Sequence, residues 1–517
     1  MTFPPVLRRH LLAAGAALLL IVSTAAGAAA PQDVRIHVDA QATGTPFPHF
    51  WETMFGSGRA SLALRDDYRK DLDAVHRATG FGYIRFHGIL DHDVGLVNRD
   101  PDGSIRYNFS YVDQIYDGLL EHGVRPFVEL GFMPPELSSD PKARQEFWYH
   151  PNIAPPKSYA EWDAMITAFA KHLVARYGID EVASWYFEVW NEPNIGFWAG
   201  KPAQPTYFTL YDHTARALKA VDARIRVGGP STAQGAWATD FLAHAKKDDV
   251  PVDFVSTHVY GDDTADNVFH TNENIPRRDM VCRTVDKVHK EILASPYPKL
   301  PLIFSEYNAS YANLPNVTDT VFMGPWMANT IRECAGKIQI MSYWSFSDVF
   351  EEQGVVRNPF YGGFGLIAAD RIPKPAFNAF AMLHKLGDRQ LKSTSDSALV
   401  TRRDDGTIVL ALWNYASAVG KTASYTPGEP EGEPKHFSIA VNHLASGARA
   451  TVWRLDATHG NAVALFDKMG RPDFPSRQQI AQLREAGQLA APESMDVRNG
   501  KLDLTIPPQG LVVVELH

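Results

Sequence analysis

Between residues 46 and 380, short apolar runs alternate with amphipathic stretches along the chain. This rhythm is typical of repeated strand–helix units, which build a parallel sheet covered by helices. The runs that predict buried strands are Phe50–Phe55, Tyr83–His87, Arg125–Phe132, Trp185–Trp190, Arg226–Gly229, Asp253–Tyr260, Leu300–Glu306 and Ile338–Phe346. Eight such repeats predict an α/β fold, a closed (β/α)8 TIM barrel with its active site at the carboxyl ends of the strands.

The stretches between these runs carry recognisable helix boundaries. Tyr68, Leu72 and Val75 share one apolar helix face, and Gly80 follows as a stop signal. The segment Ser158–Glu161 has the spacing of a capping box, which favours the start of a helix there.

After about residue 380 the period of the pattern changes to two, which is typical of half-buried strands. Strands are predicted at Ala398–Arg403, Thr407–Tyr415, Phe437–Val441, Thr451–Leu455, Leu502–Ile506 and Leu511–Leu516, with a helical insertion at 475–487. We therefore predict a catalytic barrel over residues 46–385 and an accessory C-terminal all-β sandwich over 386–517. The alternating segment within residues 31–45 is predicted to join that sandwich as an N-terminal strand.

Residues 1–30 have the pattern of a signal peptide. A basic pair, Arg8-Arg9, precedes the apolar run Leu11–Val22, and Ala28–Ala30 supplies the small residues of a cleavage site. The apolar run is short for a membrane-spanning helix. The sequence thus predicts an exported protein, periplasmic or extracellular, with no membrane association in its mature form.

Composition narrows the class of partner. The chain of 517 residues has 45% hydrophobic residues and a net charge of −9, which favours a soluble protein and disfavours nucleic acid as a partner. Its only cysteines, Cys282 and Cys334, either form one bridge or remain two buried thiols. No metal-ligand spacing, phosphate-binding glycine loop or dinucleotide motif is present, so no metal and no cofactor are predicted.

Two predicted strands end in a carboxylate. Glu192 follows the aromatic run of the fourth strand, and Glu306 ends the seventh. In a barrel these strand ends face each other across the mouth. Two carboxylates on opposite sides of a pocket are the groups that cleave glycosidic bonds, one as acid and one as nucleophile or base. The alternative is that Glu192 caps the next segment or pairs with a lysine.

Other strand ends carry side chains that suit a sugar, because aromatic rings stack on its C–H face and polar groups bind its hydroxyls. These side chains are His87, His258, Tyr260, Trp344 and the Glu351-Glu352 pair. Each alone is also compatible with a structural role. Arg85 is predicted to face inward and support Glu306 or its neighbours, with a plain structural ion pair as the alternative. Glu129, Glu136 and Glu188 are interpreted as supporting or structural acids.

From about Phe50 to Leu386 the chain resembles glycoside hydrolase family 39, which contains β-xylosidases and α-L-iduronidases of the large retaining barrel clan. The resemblance rests on the runs 55–59 (FGSGR), 83–88 (YIRFHG), 187–193 (FEVWNEP), 304–307 (FSEY) and 343–348 (YWSFSD). It implies Glu192 as acid/base and Glu306 as nucleophile. It further implies a sugar-binding set of His87, Asn191, His258, Tyr260, Trp344 and Glu352, with Arg85 and Tyr307 supporting.

The expected activity is that of a secreted retaining exo-glycosidase, which releases xylose from the non-reducing end of β-xylosides and xylo-oligosaccharides by double displacement, without a cofactor. The alternatives within the family are an α-L-iduronidase, an arabinopyranosidase or a β-hexosidase. An iduronidase needs a cation to pair the uronate, and the acidic Glu351-Glu352 pair argues against one. A sugar-binding protein without catalytic activity is the alternative from another class.

Overall fold

The computed structural model describes residues 32–517, except 357, 421 and 445–446. The predicted signal peptide, residues 1–30, lies outside the described residues. Within the described part of the chain, none of the helices combines the length and the apolar character that crossing a bilayer requires.

The strands, in chain order, are β1 Gln32–Asp39, β2 Thr45–Pro46, β3 Met54–Gly56, β4 Tyr83–Phe86, β5 Val97–Arg99, β6 Ile105–Tyr107, β7 Arg125–Leu130, β8 Tyr186–Val189, β9 Arg226–Thr232, β10 Phe254–Tyr260, β11 Leu302–Asn308, β12 Ile340–Tyr343, β13 Ile367–Ala368, β14 Ile372–Pro373, β15 Arg389–Leu391, β16 Ala398–Arg402, β17 Ile408–Trp413, β18 Lys435–Asn442, β19 Arg449–Leu455, β20 Glu493–Asp496, β21 Lys501–Ile506 and β22 Leu511–Leu516. The α-helices are α1 Asp66–Thr79, α2 Ser110–Glu121, α3 Tyr159–Tyr177, α4 Ile179–Val182, α5 Ala203–Val221, α6 Ala238–Lys247, α7 Ala265–Phe269, α8 Arg277–Leu293, α9 Pro315–Thr318, α10 Met323–Cys334, α11 Pro375–Leu383, α12 Ala462–Lys468 and α13 Arg477–Ala486. Short 3-10 helices span Ala60–Leu64, Ala233–Gly235 and Ala369–Arg371.

A parallel barrel forms the first part of the molecule. Its strands close in the order β10, β11, β12, β3, β4, β7, β8 and β9, which confirms the predicted TIM barrel. The helix boundaries read from the sequence are present, although the capping box is only half formed because the Glu161 side chain pairs with Arg99. Gly80 ends α1 in the left-handed conformation, with φ +65°, and the Ser158 side chain accepts a hydrogen bond from the Glu161 amide at the start of α3.

The first barrel strand is shorter than the apolar run that predicted it. Strand β3 begins at Met54, whereas Phe50 and Trp51 lie before it, fully buried. Their rings pack with Phe47, and the Phe47 and Trp51 ring centroids lie 5.3 Å apart. An apolar run marks burial, and here part of that burial belongs to the segment that enters the barrel rather than to its strand.

Inside the barrel, an apolar layer lies below a polar one. One buried cluster, with a member from each of six barrel strands, fills the lower layer: Met54, Phe127, Tyr186, Phe254, Ile303 and Ile340. Two residues further along their strands, on the same side because strand side chains alternate, come Glu129, Glu188 and Ser305, and Arg85 lies two residues after Tyr83. The charged groups therefore form a layer nearer the carboxyl ends of the strands than the apolar layer.

The polar layer includes a break in the pairing of β10 with β11. Thr257 pairs with Phe304, but the next residue, His258, pairs with Glu306, so Ser305 is left without a partner. This is the geometry of a β-bulge, which lets two consecutive side chains face the same side. Ser305 and Glu306 consequently both contact groups inside the barrel.

The second part of the molecule consists of two sheets packed face to face. One sheet has the order β1, β18, β21, and the other the order β2, β15, β16, β17, β22, β19, β20. A separate apolar cluster fills the space between them, with Ile36, Val400, Ile439 and Val514 among its members. Strand β1 precedes the barrel in the chain, yet it pairs in parallel with β18 over its whole length. The all-β sandwich predicted beside the barrel is present.

Of the two alternatives left open for the cysteines, the structure contains the bridge. Cys282 in α8 and Cys334 at the end of α10 form a disulfide with Cα atoms 5.1 Å apart and 52 residues apart in sequence. The bridge joins two neighbouring helices on the outside of the barrel, so it restricts the unfolded chain over that loop.

Replacing both cysteines, Cys282→Ala with Cys334→Ala, is expected to lower the free energy of unfolding by about 3 kcal/mol, because the loop is no longer closed in the unfolded chain. Guanidinium denaturation of the variant and of the unreduced wild type measures the difference. As a direct check, unreduced wild-type protein from an oxidising compartment, alkylated under denaturing conditions, should gain no label. Two labelled thiols would contradict the bridge.

Candidate active site

The sequence-predicted residues converge at the carboxyl ends of the barrel strands, around a cavity of about 310 Å³. Those that line it are Glu192, Glu306, His87, Asn191, Tyr260, Trp344 and Glu352. They come from segments far apart in the chain, and the closed barrel brings these strand ends to one face.

Glu192 and Glu306 lie close together and nearly buried, with exposed fractions of 8% and 4%. One oxygen of each carboxylate lies within 4.8 Å of the other. A separation of about 5 Å leaves room for direct attack by one carboxylate on a carbon held between the two, whereas an intervening water needs a longer gap.

Glu192 occupies a constrained backbone position just past β8. Its φ of +43° lies in the left-handed region, which costs a residue with a Cβ about 1 kcal/mol, and its amide donates to the Ser231 carbonyl at 2.7 Å. Burial disfavours the charged carboxylate and raises the pKa of Glu192 to about 7, although the cations His87 and Arg85 oppose this rise. Glu192 therefore keeps a proton near neutral pH.

Glu306 is surrounded by hydrogen-bond donors. Its Oε1 accepts from the Arg85 guanidinium at 2.7 Å, and its Oε2 accepts from the Tyr260 hydroxyl at 2.6 Å. Hydrogen bonds to a carboxylate favour its charged form, which is also its nucleophilic form.

Arg85 is fully buried and contacts four side chains. Its Nε donates to Glu188 at 2.6 Å, its Nη1 to Glu306 and its Nη2 to the Asn191 side-chain oxygen at 2.9 Å. The Nη2 atom also lies 2.8 Å from Glu129. Burial alone lowers a guanidinium pKa, but Glu188, Glu129 and Glu306 outweigh it, so the pKa of Arg85 rises and the group stays charged.

His87 is the second buried cation. Its Nδ1 lies 2.6 Å from Glu129, and its Nε2 lies 3.5 Å from Glu352. Burial opposes its charge, but the Glu129 and Glu352 carboxylates raise the pKa of His87 to about 10. A charged imidazole donates from both nitrogens, and here both of them face carboxylates of the protein itself.

Trp344 forms an aromatic wall of the cavity. The centroids of the Trp344 and His87 rings lie 4.8 Å apart. The Cζ atom of Arg85 lies 5.7 Å from the centroid of the Trp344 ring. Gly56 makes room for it, because a Cβ at that position would lie 2.1 Å from a ring carbon of Trp344. The glycine at the end of β3 is visible in the sequence, but only the structure shows that it makes room for Trp344.

Two residues lie in other places than predicted, His258 from the sugar-binding set and Tyr307 from the supporting pair. His258 is fully buried and does not line the cavity, because its ring lies behind Glu192, with Nδ1 3.0 Å from Glu192 Oε1. Tyr307 points out of the barrel, where its ring packs with Trp326 of α10 at 6.2 Å. Strand alternation turns Tyr307 outward once Glu306 faces inward.

Several cavity residues were not predicted from the sequence. Phe147, Phe197, Tyr311 and Phe364 line the cavity, and Tyr311 is 60% exposed at its rim. All four lie outside the strands, in connecting segments whose positions no hydrophobic period predicts. The supporting role interpreted for Glu129 and Glu188 agrees with their contacts to Arg85.

Among the described residues, two groups bring histidine and carboxylate atoms near enough to bind a metal ion. One is Glu192, His258 and Glu306, where the Glu306 oxygen already accepts from Arg85. The other is His49, Glu52 and His384, away from the cavity. The chemistry of the cavity itself is that of two carboxylates with unequal surroundings.

Arg85→Met is expected to lower the free energy of unfolding by roughly 3–5 kcal/mol, because it leaves several buried carboxylates without their cation. The deficit should shrink as the pH falls, since the unpaired carboxylates take up protons. Denaturant unfolding at several pH values measures both effects.

Arg125→Met is the matched control, because Arg125 starts the neighbouring strand β7 and pairs with Glu181 at the exposed end of the barrel. Its expected cost is about 1 kcal/mol or less. Equal costs for the two variants would contradict the dependence of the site on Arg85.

The comparisons with known proteins agree with this geometry. The family model described as "Glycosyl hydrolases family 39" matches residues 34–500. The chain is 39% identical over 471 residues to a β-xylosidase of Geobacillus stearothermophilus, covering 89% of this chain and 90% of that protein. It is 35% identical over 479 residues to a β-xylosidase of Caldicellulosiruptor saccharolyticus, covering 90% and 95%. The solved structure of a monomeric β-xylosidase from Caulobacter crescentus matches with a TM-score of 0.85 and 34% identity, covering 93% of this chain and 99% of that one.

Proposed function

The chain belongs to glycosyl hydrolase family 39, and on that premise we propose that this glycoside hydrolase is an exported retaining exo-β-xylosidase. It releases xylose from the non-reducing end of β-xylosides and xylo-oligosaccharides. The observation that carries this proposal is the pair of nearly buried carboxylates with oxygens within 4.8 Å of each other, of which Glu306 alone accepts from both Arg85 and Tyr260.

The unequal surroundings of the two carboxylates support their roles. Glu306, charged and held by Arg85 and Tyr260, attacks the anomeric carbon, while Glu192 gives its proton to the leaving oxygen. The glycosyl–Glu306 ester is then attacked by a water whose proton passes to Glu192. The second step restores the starting protonation of both residues and gives a sugar with the configuration of the substrate.

The walls of the cavity support a neutral sugar. Among its described lining residues no lysine or arginine occurs, and its cation, His87, already contacts Glu129 and Glu352. A uronate carboxylate needs an available cation, so this wall disfavours an α-L-iduronide. Trp344 offers an apolar face, and Asn191 and Glu352 offer polar atoms, as a pyranose requires.

The relatives that share most of this chain's length are named as β-xylosidases, which favours xylose over the other sugars of similar shape. Arabinopyranosides and β-hexosides are the remaining alternatives within the family. A purely sugar-binding function is disfavoured because both carboxylates are present at a reactive separation.

Two features support export. Residues 1–30 have the signal-peptide pattern, and the Cys282–Cys334 bridge is of the kind that persists in oxidising compartments. Cell fractionation should find the activity and the intact protein in the periplasm or the medium. N-terminal sequencing of that protein should show that residues 1–30 have been removed.

A panel of 4-nitrophenyl glycosides tests the substrate and the roles together. Wild type should cleave the β-D-xyloside and not the α-L-iduronide. Glu306→Gln should lose turnover on every substrate, and Glu192→Gln should lower kcat/KM on xylobiose by roughly 10²–10⁴-fold, the size of general acid catalysis.

Glu351→Gln is the matched control, since Glu351 sits beside the site but its carboxylate pairs with Arg59 and Arg65. Its kcat/KM should stay near the wild-type value. Activity on the iduronide alone would overturn the proposed sugar, and a product of inverted configuration by proton NMR would overturn the double displacement.

The pH dependence follows from Glu192. Its folded-state pKa is raised to about 7, so the acid is protonated below that pH and loses its proton above it. For xylobiose, kcat/KM should therefore fall as the pH rises through about 7, by about tenfold per unit beyond it. With 2,4-dinitrophenyl β-xyloside, whose leaving group needs no proton, this alkaline fall should be absent. A fall of equal size for both substrates would assign the ionisation to another group.

A further inference from the structure

A continuous chain of hydrogen bonds joins Glu192 to Glu306 behind the cavity. From Glu192 it passes through His258, Ser305, Glu188 and Arg85 to Glu306, with heavy-atom distances of 3.0, 3.1, 2.6, 2.6 and 2.7 Å in that order. Each connecting side chain is fully buried, so water does not substitute for a missing partner. The direction of each hydrogen bond then follows from which atoms have a proton to give.

The direction at Ser305 is fixed by Glu188. Arg85 holds Glu188 in its charged form, and the pKa of Glu188 is lowered although burial alone would raise it. A carboxylate only accepts, so the Ser305 hydroxyl donates its single proton to Glu188 Oε1. The Ser305 oxygen is then left as an acceptor.

The tautomer of His258 follows in turn. Burial lowers the pKa of His258 to about 4, so the ring is neutral and carries one proton. Because Ser305 accepts on one side, that proton sits on Nε2, and Nδ1 presents a lone pair to Glu192 Oε1.

Two carboxyl groups lie near this lone pair of His258. Glu306 Oε1 is 3.6 Å away, beyond hydrogen-bond distance, and Glu306 accepts from Arg85 and Tyr260 instead. Glu192 lies within hydrogen-bond distance, where a charged carboxylate would oppose the lone pair and a protonated carboxyl donates to it.

We infer that Ser305 and His258 are positioning residues that hold the proton on Glu192. This inference rests on the proposed function of Glu192 as acid/base. Ser305 orients the tautomer of His258, and the Nδ1 lone pair of His258 favours the protonated acid before the first step. In the second step the same lone pair makes the Glu192 carboxylate more basic toward the attacking water. The proton count of the reaction is unchanged, because His258 and Ser305 keep their own protons.

The bulge in β11 is the structural reason that this chain exists. Ser305 faces the barrel interior by ordinary alternation from Ile303, and the bulge lets the next residue, Glu306, face the interior as well instead of pointing outward. One irregularity thus places the nucleophile and the hydroxyl that orients His258 next to each other.

Other ionisable groups also act on the ionisation of Glu192, and the test must separate their effect from that of the hydrogen bonds through His258 and Ser305. They face it from every surrounding strand end: Arg85, His87, Glu129, Glu188, Tyr260, Asp263, Glu306 and Glu352. None of them changes its covalent structure in a Ser305 variant. A shift of the Glu192 ionisation in that variant therefore reports the hydroxyl, acting through His258 or through Glu188, which loses the hydrogen bond from Ser305. Variants of His258 separate these two routes.

The experiment is the pH profile of kcat/KM for xylobiose. In Ser305→Ala, His258 has no acceptor at Nε2 and takes the Nδ1–H tautomer, which donates to the Glu192 carboxylate. The alkaline limb should move to lower pH by about one unit, the size expected when one hydrogen bond to a charged group reverses. Ser305→Thr keeps a hydroxyl and should restore the wild-type limb.

Ser342→Ala is the matched control, because Ser342 is a buried serine of the adjacent strand β12 whose hydroxyl has no hydrogen-bond partner. The alkaline limb of its kcat/KM profile should coincide with that of wild type. If the alkaline limb of Ser305→Ala does not shift, whatever the value of kcat, the inference is overturned and Ser305 has only a packing role.

Two His258 variants test the same step without removing the hydrogen bond from Ser305 to Glu188, and they also serve if Ser305→Ala does not fold. His258→Gln should keep the wild-type limb, because its amide nitrogen donates to Ser305 and its amide oxygen accepts from Glu192. His258→Leu offers no acceptor for the Glu192 proton, so its limb should move to lower pH. An unshifted limb in His258→Leu also overturns the inference. These outcomes differ from failure of the proposed function, in which wild type itself cleaves no xyloside.

Discussion

The buried guanidinium of Arg85 is the interaction on which the site depends. It brings Glu129, Glu188 and Glu306 to one cation in the buried interior of the barrel, where like charges would otherwise repel strongly. Such a cluster is expensive to bury, and the barrel supports it by surrounding it with an apolar layer below and packed strands on all sides. The planar fork of arginine suits this task better than lysine, because it donates in several fixed directions at once.

This arrangement gives the two glutamates, Glu306 and Glu192, different roles. Glu306 receives hydrogen bonds from Arg85 and Tyr260, so its charge is stabilised. Glu192 lies at the same depth and faces the ring of a neutral histidine, so its charge is not. The difference between nucleophile and acid is therefore set by the donors around each carboxylate rather than by the carboxylates themselves.

How much of this could be predicted from the sequence depended on the kind of signal. Strand ends with Glu192, Glu306 and His87 followed from hydrophobic runs and barrel geometry, because the fold brings all carboxyl ends to one face. The contact of Arg85 with Glu306 and the interior place of Glu188 follow from strand alternation. Tyr307 was predicted to support the site, but it follows the inward-facing Glu306 and so packs against the helices instead. His258 was assigned to the sugar because a histidine that binds substrate and one that orients a neighbour look alike in sequence. Tyr311 and Phe147 lie in connections whose paths depend on the finished fold.

The bulge at Ser305 makes the active site depend on the register of one strand. Up to Phe304, strand β11 is in step with β10, and beyond it the two strands are out of step by one residue. If β11 ran on without the bulge, Ser305 would pair with His258 and Glu306 would turn toward the helices, although every catalytic side chain would still be encoded. The inward position of the nucleophile therefore depends on one extra residue in β11 as well as on the carboxylate itself. Within this strand, the register of the chain is itself part of the catalytic apparatus.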